Sequence, residues 1–142
     1  MPDFALTVDI AAPPERVWNI VADVERWPEW TPSVTSVKRY DTGPLAIGSR
    51  ARIHQPKLRP ADWEVTVLEP GRGFDWVTRS PGLTAIGRHW IEPVPDGSRV
   101  TIAIELTGVL ARPVAWLFRH LNAQYLQLEA SGLKSRAEQI SS

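Results

Sequence analysis

The 142-residue chain has no cysteine. That absence excludes a disulfide framework, a thiolate metal site, a cysteine nucleophile and thiol redox chemistry, and it suits a reducing cytoplasm, where the protein is expected to reside. Net charge is missing too: 16 basic residues, 13 Arg and three Lys without a basic tract, balance 16 acidic ones. Nucleic-acid binders ordinarily carry a charged stripe, so no nucleic-acid partner is expected. No apolar run approaches the roughly 18 residues of a membrane span. Met1 to Ile10 holds Asp3 and Asp9 and lacks a basic stretch, so no signal peptide is expected there. The hydrophobic fraction of 43% and charged fraction of 23% are ordinary. A chain of this length buries about two thirds of its unfolded surface without staples. No repeat or linker divides it, so residues 1–142 are expected to form one domain. The distinctive components are seven Trp and 13 Pro.

Leu6, Val8 and Ile10 alternate in a half-buried strand that Pro13-Pro14 stops. Pro14 suits a first helical position and Glu15 the positive end of the helix dipole. Val17, Trp18 and Val21 follow at helical spacing, and Asp23 is placed to cap a second short helix from Val24 to Trp27. Strands follow near 33–41, 49–55, 62–69, 73–80, 83–94 and 98–108, separated by Pro- and Gly-containing turns. From Arg112 to about Gln139 the period turns helical, with Val114, Leu117, Leu121, Tyr125 and Leu128 as one stripe continued at Gly132. One helix over that span is roughly 40 Å long and must lie across something wide.

The hairpins define an inside and an outside. With Asp96-Gly97 as the last turn, Ile91 faces Ile102, His89 faces Ile104 and Gly87 faces Leu106, while Arg88 meets Glu105 on the other face. With Pro81-Gly82 as the preceding turn, Trp76 faces Gly87, Phe74 faces His89, Thr78 faces Ala85, and Asp75 meets Arg88 outside. A four-residue loop at 70–73 turns Trp63, Val65 and Val67 inward; a three-residue loop turns Glu64, Thr66 and Leu68 inward instead. The first is preferred, because an unpaired inward Glu64 is costly. Large aromatics beside Ala85 and Gly87 predict a groove on an apolar sheet face covered by the helices.

The element order is strand, two short helices, six strands, long helix. Ile10-Ala-Ala-Pro-Pro-Glu-Arg-Val-Trp18, Asp23-Val-Glu-Arg-Trp-Pro-Glu-Trp30, Val67-Leu-Glu-Pro70, Arg88-His-Trp-Ile91, the Gly-Ser-Arg-Val-Thr run at 97–101 and Gly132-Leu-Lys-Ser-Arg-Ala-Glu138 lie along it. Together they resemble the polyketide cyclase/dehydrase-like members of the START and birch-pollen-allergen superfamily. The resemblance covers nearly the whole chain. It implies an α+β helix-grip fold: a curved seven-stranded antiparallel sheet wrapped around a long C-terminal helix, with two short helices after the first strand. It also implies a pocket between sheet and helix for a hydrophobic or amphipathic small molecule such as a lipid or polyketide. Some relatives are aromatase/cyclases that use a pocket Arg and a Tyr hydroxyl. The matching positions here hold Glu69 and Val34, so binding without turnover is the reading and a polyketide cyclase/dehydrase-type enzyme the alternative.

The expected ligand-binding residues are Phe74, Trp76, His89, Ile91, Ile104, Tyr125 and Trp63. The aromatics supply apolar panels; His89 and Tyr125 are the main polar contacts. No carboxylate is expected inward to orient His89, which argues against a Ser-His-Asp arrangement. His54 and His120 lie in other segments without acidic partners at ligand spacing, so no metal is expected, and no cofactor. Trp27 and Trp30 are read as sealing the short helices onto the sheet, Trp18 as core, Trp90 as outward, and Arg50 and Arg52 as outward by alternation. No catalytic residue is assigned, and a homodimer stays open.

Overall fold

A computed structural model describes residues 3–140. Seven antiparallel strands form one sheet in the order β1-β7-β6-β5-β4-β3-β2. They are β1 (Asp3–Ile10), β2 (Ser36–Arg39), β3 (Arg50–His54), β4 (Ala61–Glu69), β5 (Gly73–Ser80), β6 (Leu83–Val94) and β7 (Gly97–Thr107). Helix α1 (Pro14–Ala22) and a 3-10 helix (Val24–Glu29) follow β1, and α2 (Ala111–Leu117) and α3 (Arg119–Ile140) follow β7. This is the helix-grip arrangement.

Alternation explains the faces. Phe4, Leu6 and Val8 of β1 pack against the core and Ile10 is buried, while their neighbours face solvent. Pro14 starts α1 as expected. Asp23 precedes the 3-10 helix but makes no side-chain cap; its carboxylate pairs instead with Arg26 at 3.2 Å. That helix runs through Pro28, its fifth residue, and ends directly after it, where Trp30 N and Thr31 N both donate to the Trp27 carbonyl.

The β5–β6 hairpin has the expected register throughout, with Trp76 opposite Gly87, Phe74 opposite His89, Thr78 opposite Ala85 and Asp75 opposite Arg88. The β6–β7 register is corrected by two residues. Val94 pairs with Gly97, His89 with Ile102 and Gly87 with Ile104, so Pro95-Asp96 rather than Asp96-Gly97 forms the turn. Proline's fixed φ suits the first central position of a turn, and Gly97 (φ 149°) takes up the return strand. A shift of two leaves every side chain on its expected face. On the convex face Arg88 pairs with Asp75 at 3.3 Å and with Glu105, now its diagonal neighbour. Trp90 Nε1 donates to Asp75 at 2.6 Å.

Between β4 and β5 both loop alternatives hold in part. The loop is the three residues Pro70 to Arg72, which turns Leu68 toward the core and leaves Val67 exposed at 43%. A bulge between Val65 and Val67 then restores the phase, so that Trp63 and Val65 are buried.

The long helix is corrected as well. It divides at Phe118 (φ −102°, ψ 17°) into α2 and α3. Leu117, expected inward, is 66% exposed. The buried stripe of α3 is Leu126, Ala130, Leu133 and Ala137, with Tyr125 beside it. Gly132 allows close approach: a Cβ there would lie 1.8 Å from the Trp30 carbonyl oxygen. The C-terminal half is tied down further by Lys134 Nζ donating to Asp9 O at 2.9 Å, Ala11 N donating to Glu138 at 2.9 Å, and Arg136 pairing with Glu29 at 2.6 Å. Among the described residues no helix is long and apolar enough to cross a membrane.

Candidate functional site

The inward rows of β5 and β6 shrink in one direction. From Phe74 the β5 row runs through Trp76 to Thr78; the β6 row beside it runs from Ile91 and His89 to Gly87 and Ala85. Where side chains are large the gap under α3 is filled. Phe74, fully buried, lies within 5.2–6.5 Å of the rings of Trp18, Trp27, Trp76 and His89. Where they are small the gap opens into a cavity of about 280 Å³ lined mainly by apolar groups, among them Leu83, Ala85, Leu106, Val114 and Phe118. Below it lies an inner chamber of about 60 Å³, walled by Trp27, Val34, Ile53, Trp76, Gly87 and His89. Gln55, Trp63, Ile104, Leu126 and Glu129 line both spaces and form the partition. A larger furrow of about 430 Å³ between α1 and α3 is an open surface feature rimmed by charges such as Arg26 and Arg136 that already hold carboxylates.

The partition carries the site's main polar feature. His89 Nε2 and Glu129 Oε1 are 2.8 Å apart, joining the sheet to α3, with side-chain exposures of 6% and 12%. This corrects the expectation that no inward carboxylate faces His89. The sequence does hold a signal: Glu129 is three residues after Leu126 and four before Leu133, inside the buried stripe. A stripe drawn through Tyr125 and Leu128 lies one position over and passes it by. A carboxylate at Nε2 fixes the tautomer with that nitrogen protonated. His89 Nδ1 and Trp63 Nε1 are buried and have no hydrogen-bond partner among the described residues. The second oxygen of Glu129 likewise has none there.

Of the seven residues expected to bind ligand, Trp76 and His89 wall the inner chamber, Trp63 and Ile104 line both spaces, and Tyr125 lines the outer cavity. Phe74 and Ile91 are buried at the filled end and line neither. The Tyr125 hydroxyl donates to the Pro56 carbonyl, pinning the 55–60 loop over the cavity, and burial pushes its pKa upward. The groove expected at Gly87 lies further along, at Ala85, because the Trp76 indole already occupies the space over the glycine: a Cβ on Gly87 would stand 2.9 Å from Trp76 Nε1. Of the two positions where the resemblance implies cyclase chemistry, Glu69 is exposed at the end of β4 and Val34 is an apolar wall of the inner chamber. Among the described residues no group of three His, Asp or Glu side chains is placed to hold a metal.

Comparison with solved structures supports this architecture. A protein of Thermus thermophilus superposes with a TM-score of 0.79 at 18% identity, covering 99% of this chain and 100% of that one. The di-domain ARO/CYC StfQ from the steffimycin biosynthetic pathway gives 0.80 at 13% identity, over 99% of this chain and 51% of that one. Ara h 8.0201 gives 0.75 at 12% identity, over 99% and 98%. Identities this low establish the fold alone. In sequence, an uncharacterized protein of Mycobacterium tuberculosis is 28% identical over 124 residues, 83% of this chain and 74% of the relative. The sequence pattern described as "Polyketide cyclase / dehydrase and lipid transport" matches residues 1–138, and the chain belongs to that family.

Proposed function

We propose that residues 1–142 act as one domain that binds a hydrophobic or amphipathic small molecule between the sheet and α3. The observation that carries this reading is an apolar cavity of about 280 Å³ ending at one carboxylate–imidazole pair, its histidine buried and its glutamate partly so. Small-molecule sites are commonly built this way, with apolar walls and a few convergent polar groups. Trp63 Nε1, as a donor, and the free oxygen of Glu129, as an acceptor, sit at the partition and suit a ligand hydroxyl, which can accept from one and donate to the other. The apolar body then occupies the outer cavity against Leu83, Ala85, Leu106 and Phe118.

The test combines native mass spectrometry of the purified protein with displacement of a hydrophobic fluorescent probe. Thr78→Trp, in the cavity wall, is expected to weaken probe binding by at least about ten-fold while thermal unfolding stays cooperative. Unchanged affinity in that variant would rule the cavity out as the binding site.

The His89–Glu129 pair also favours a second reading, proton transfer on a bound polyketide-like substrate. A carboxylate held by an oriented imidazole is a competent acid/base group once a substrate atom comes within hydrogen-bond reach. Turnover that Glu129→Gln abolishes, with probe affinity retained, would select this reading over binding alone.

A further inference from the structure

The chain carries no net charge overall, yet one end of the molecule is purely cationic. Three segments meet around the cavity mouth: 55–60, the β5–β6 turn with the strand ends beside it (79–83), and 108–122. Leu58 and Arg59, Leu83, and Val114 with Phe118 line the cavity from the three sides, and Leu110 N donates to Gly82 O at 2.9 Å between two of them. These segments contain Lys57, Arg59, Arg79, Arg112 and Arg119, all exposed, and no Asp or Glu. None of the five pairs with a carboxylate among the described residues. Of the acidic residues flanking the segments, Asp62, Asp75, Glu105 and Glu129 are already bonded to Arg52, Arg88 or His89, and Glu64, half-buried on β4 opposite Val77, is the one carboxylate there without an ion pair among the described residues. The rest of the molecule is correspondingly acidic.

The same end bears the exposed apolar surface. Of the seven large hydrophobic residues exposed among the described ones, four lie within nine positions: Val109 at 86%, Leu110 at 45%, Trp116 at 65% and Leu117 at 66%. Trp116 stands about 160° round α2 from Val114, which faces the cavity, and Leu117 is exposed at the last residue of that helix. The Arg119 guanidinium lies 4.3 Å over the Trp116 ring and donates to its carbonyl at 2.6 Å, so cation and indole form one unit.

We infer that this end docks on an anionic phospholipid surface, with Val109, Leu110, Trp116 and Leu117 entering the interface and the ring of Arg and Lys holding the phosphates. Trp is suited to the headgroup level, and Arg can lay its stem along apolar surface while its head stays among phosphates. A bilayer offers both halves of the complement in adjacent layers, anionic headgroups over acyl chains. Docking in this pose sets the cavity mouth against the membrane. It requires no ligand in the cavity.

Vesicle flotation tests it with the full chain. At low ionic strength, phosphatidylcholine vesicles carrying about one third phosphatidylserine should retain the protein at least about ten-fold better than pure phosphatidylcholine. Trp116→Ala and the pair Arg112→Glu/Arg119→Glu, all exposed positions, should each abolish most of that retention without changing thermal stability. Thr78→Trp should leave retention intact, so failure of the cavity reading and failure of docking remain separable. Equal binding to both vesicle types, no binding to either, or retention indifferent to the surface variants would overturn the inference. So would concentration-dependent self-association that Trp116→Ala relieves without any vesicle binding, since the patch would then be an interface between two copies.

Discussion

The two ends of the gap between sheet and α3 are built from the same rows of residues and behave oppositely. At the Phe74 end Trp18, Trp27, Trp76 and His89 pack ring against ring around Phe74, which has no exposure. At the Thr78 end the sheet offers Thr78 and Ala85, the covering helix divides at Phe118, and a cavity remains. The difference follows from side-chain volume along a constant backbone pattern. A register that pairs Trp76 with Gly87 uses the glycine to seat one indole, and the following pair, Thr78 with Ala85, is too small to fill the next layer.

The sharpest way to break this comparison is to truncate one residue at each end. Phe74→Ala should destabilise by about 3–5 kcal/mol, because its partners are rigid aromatics that cannot collapse into the void. Leu83→Ala, which borders space already open, should lose about 1 kcal/mol or less. Urea denaturation measures both, and similar losses would mean that the two ends are equally packed.

The partition gives a smaller effect of a different kind. Glu129→Leu leaves His89 Nε2 without a partner at a buried site and should cost about 1–3 kcal/mol. Adding His89→Leu should recover much of that loss, since removing both polar partners avoids an orphaned group. A double-mutant cycle with no coupling would show that the pair is incidental to the join between sheet and helix.

The smallest effect belongs to the rim. Burial raises the Tyr125 pKa above the ordinary 10.0, so the folded state holds that proton more tightly than the unfolded one. This contribution is complete below the unfolded value and is lost as pH rises through the folded one. Stability should therefore fall on the alkaline side of about pH 10, and Tyr125→Phe should flatten that part of the profile. An identical alkaline slope in the variant would assign the loss to other groups.

Element order, strand faces and the β5–β6 register were legible in the sequence because period-two alternation is local. Three features were not. The β6–β7 pairing differs by two residues, a shift that leaves Ile91, His89 and Gly87 facing inward and so leaves no trace in the hydrophobic pattern. The bulge at Thr66 reconciles a short loop with buried Trp63, which alternation alone does not anticipate. The division at Phe118 is masked because Val114, Leu117 and Leu121 continue a helical spacing across it. The site was half legible for the same reason. The sheet supplied His89, Trp63 and Trp76 through alternation, whereas Glu129 required the rotation of α3, and the close approach that settles this rotation occurs at Gly132.

Gly132 also sets the cavity's height from a distance. With only a hydrogen at this position, α3 rests on the Trp30 carbonyl as on a fulcrum, and from there the helix extends 13 residues to Arg119, a lever arm of about 20 Å. A methyl group would begin 1.8 Å from that oxygen, so the backbone would have to retreat by roughly the difference from a normal carbon–oxygen separation. With Lys134, Arg136 and Glu138 tethered on the short arm, the displacement would be expressed as tilt that grows along the long arm and strains its two ties, Glu129 to His89 and Tyr125 to Pro56. The clearance above Ala85 and Thr78 is thus geared to a single carbon position at the opposite end of the molecule.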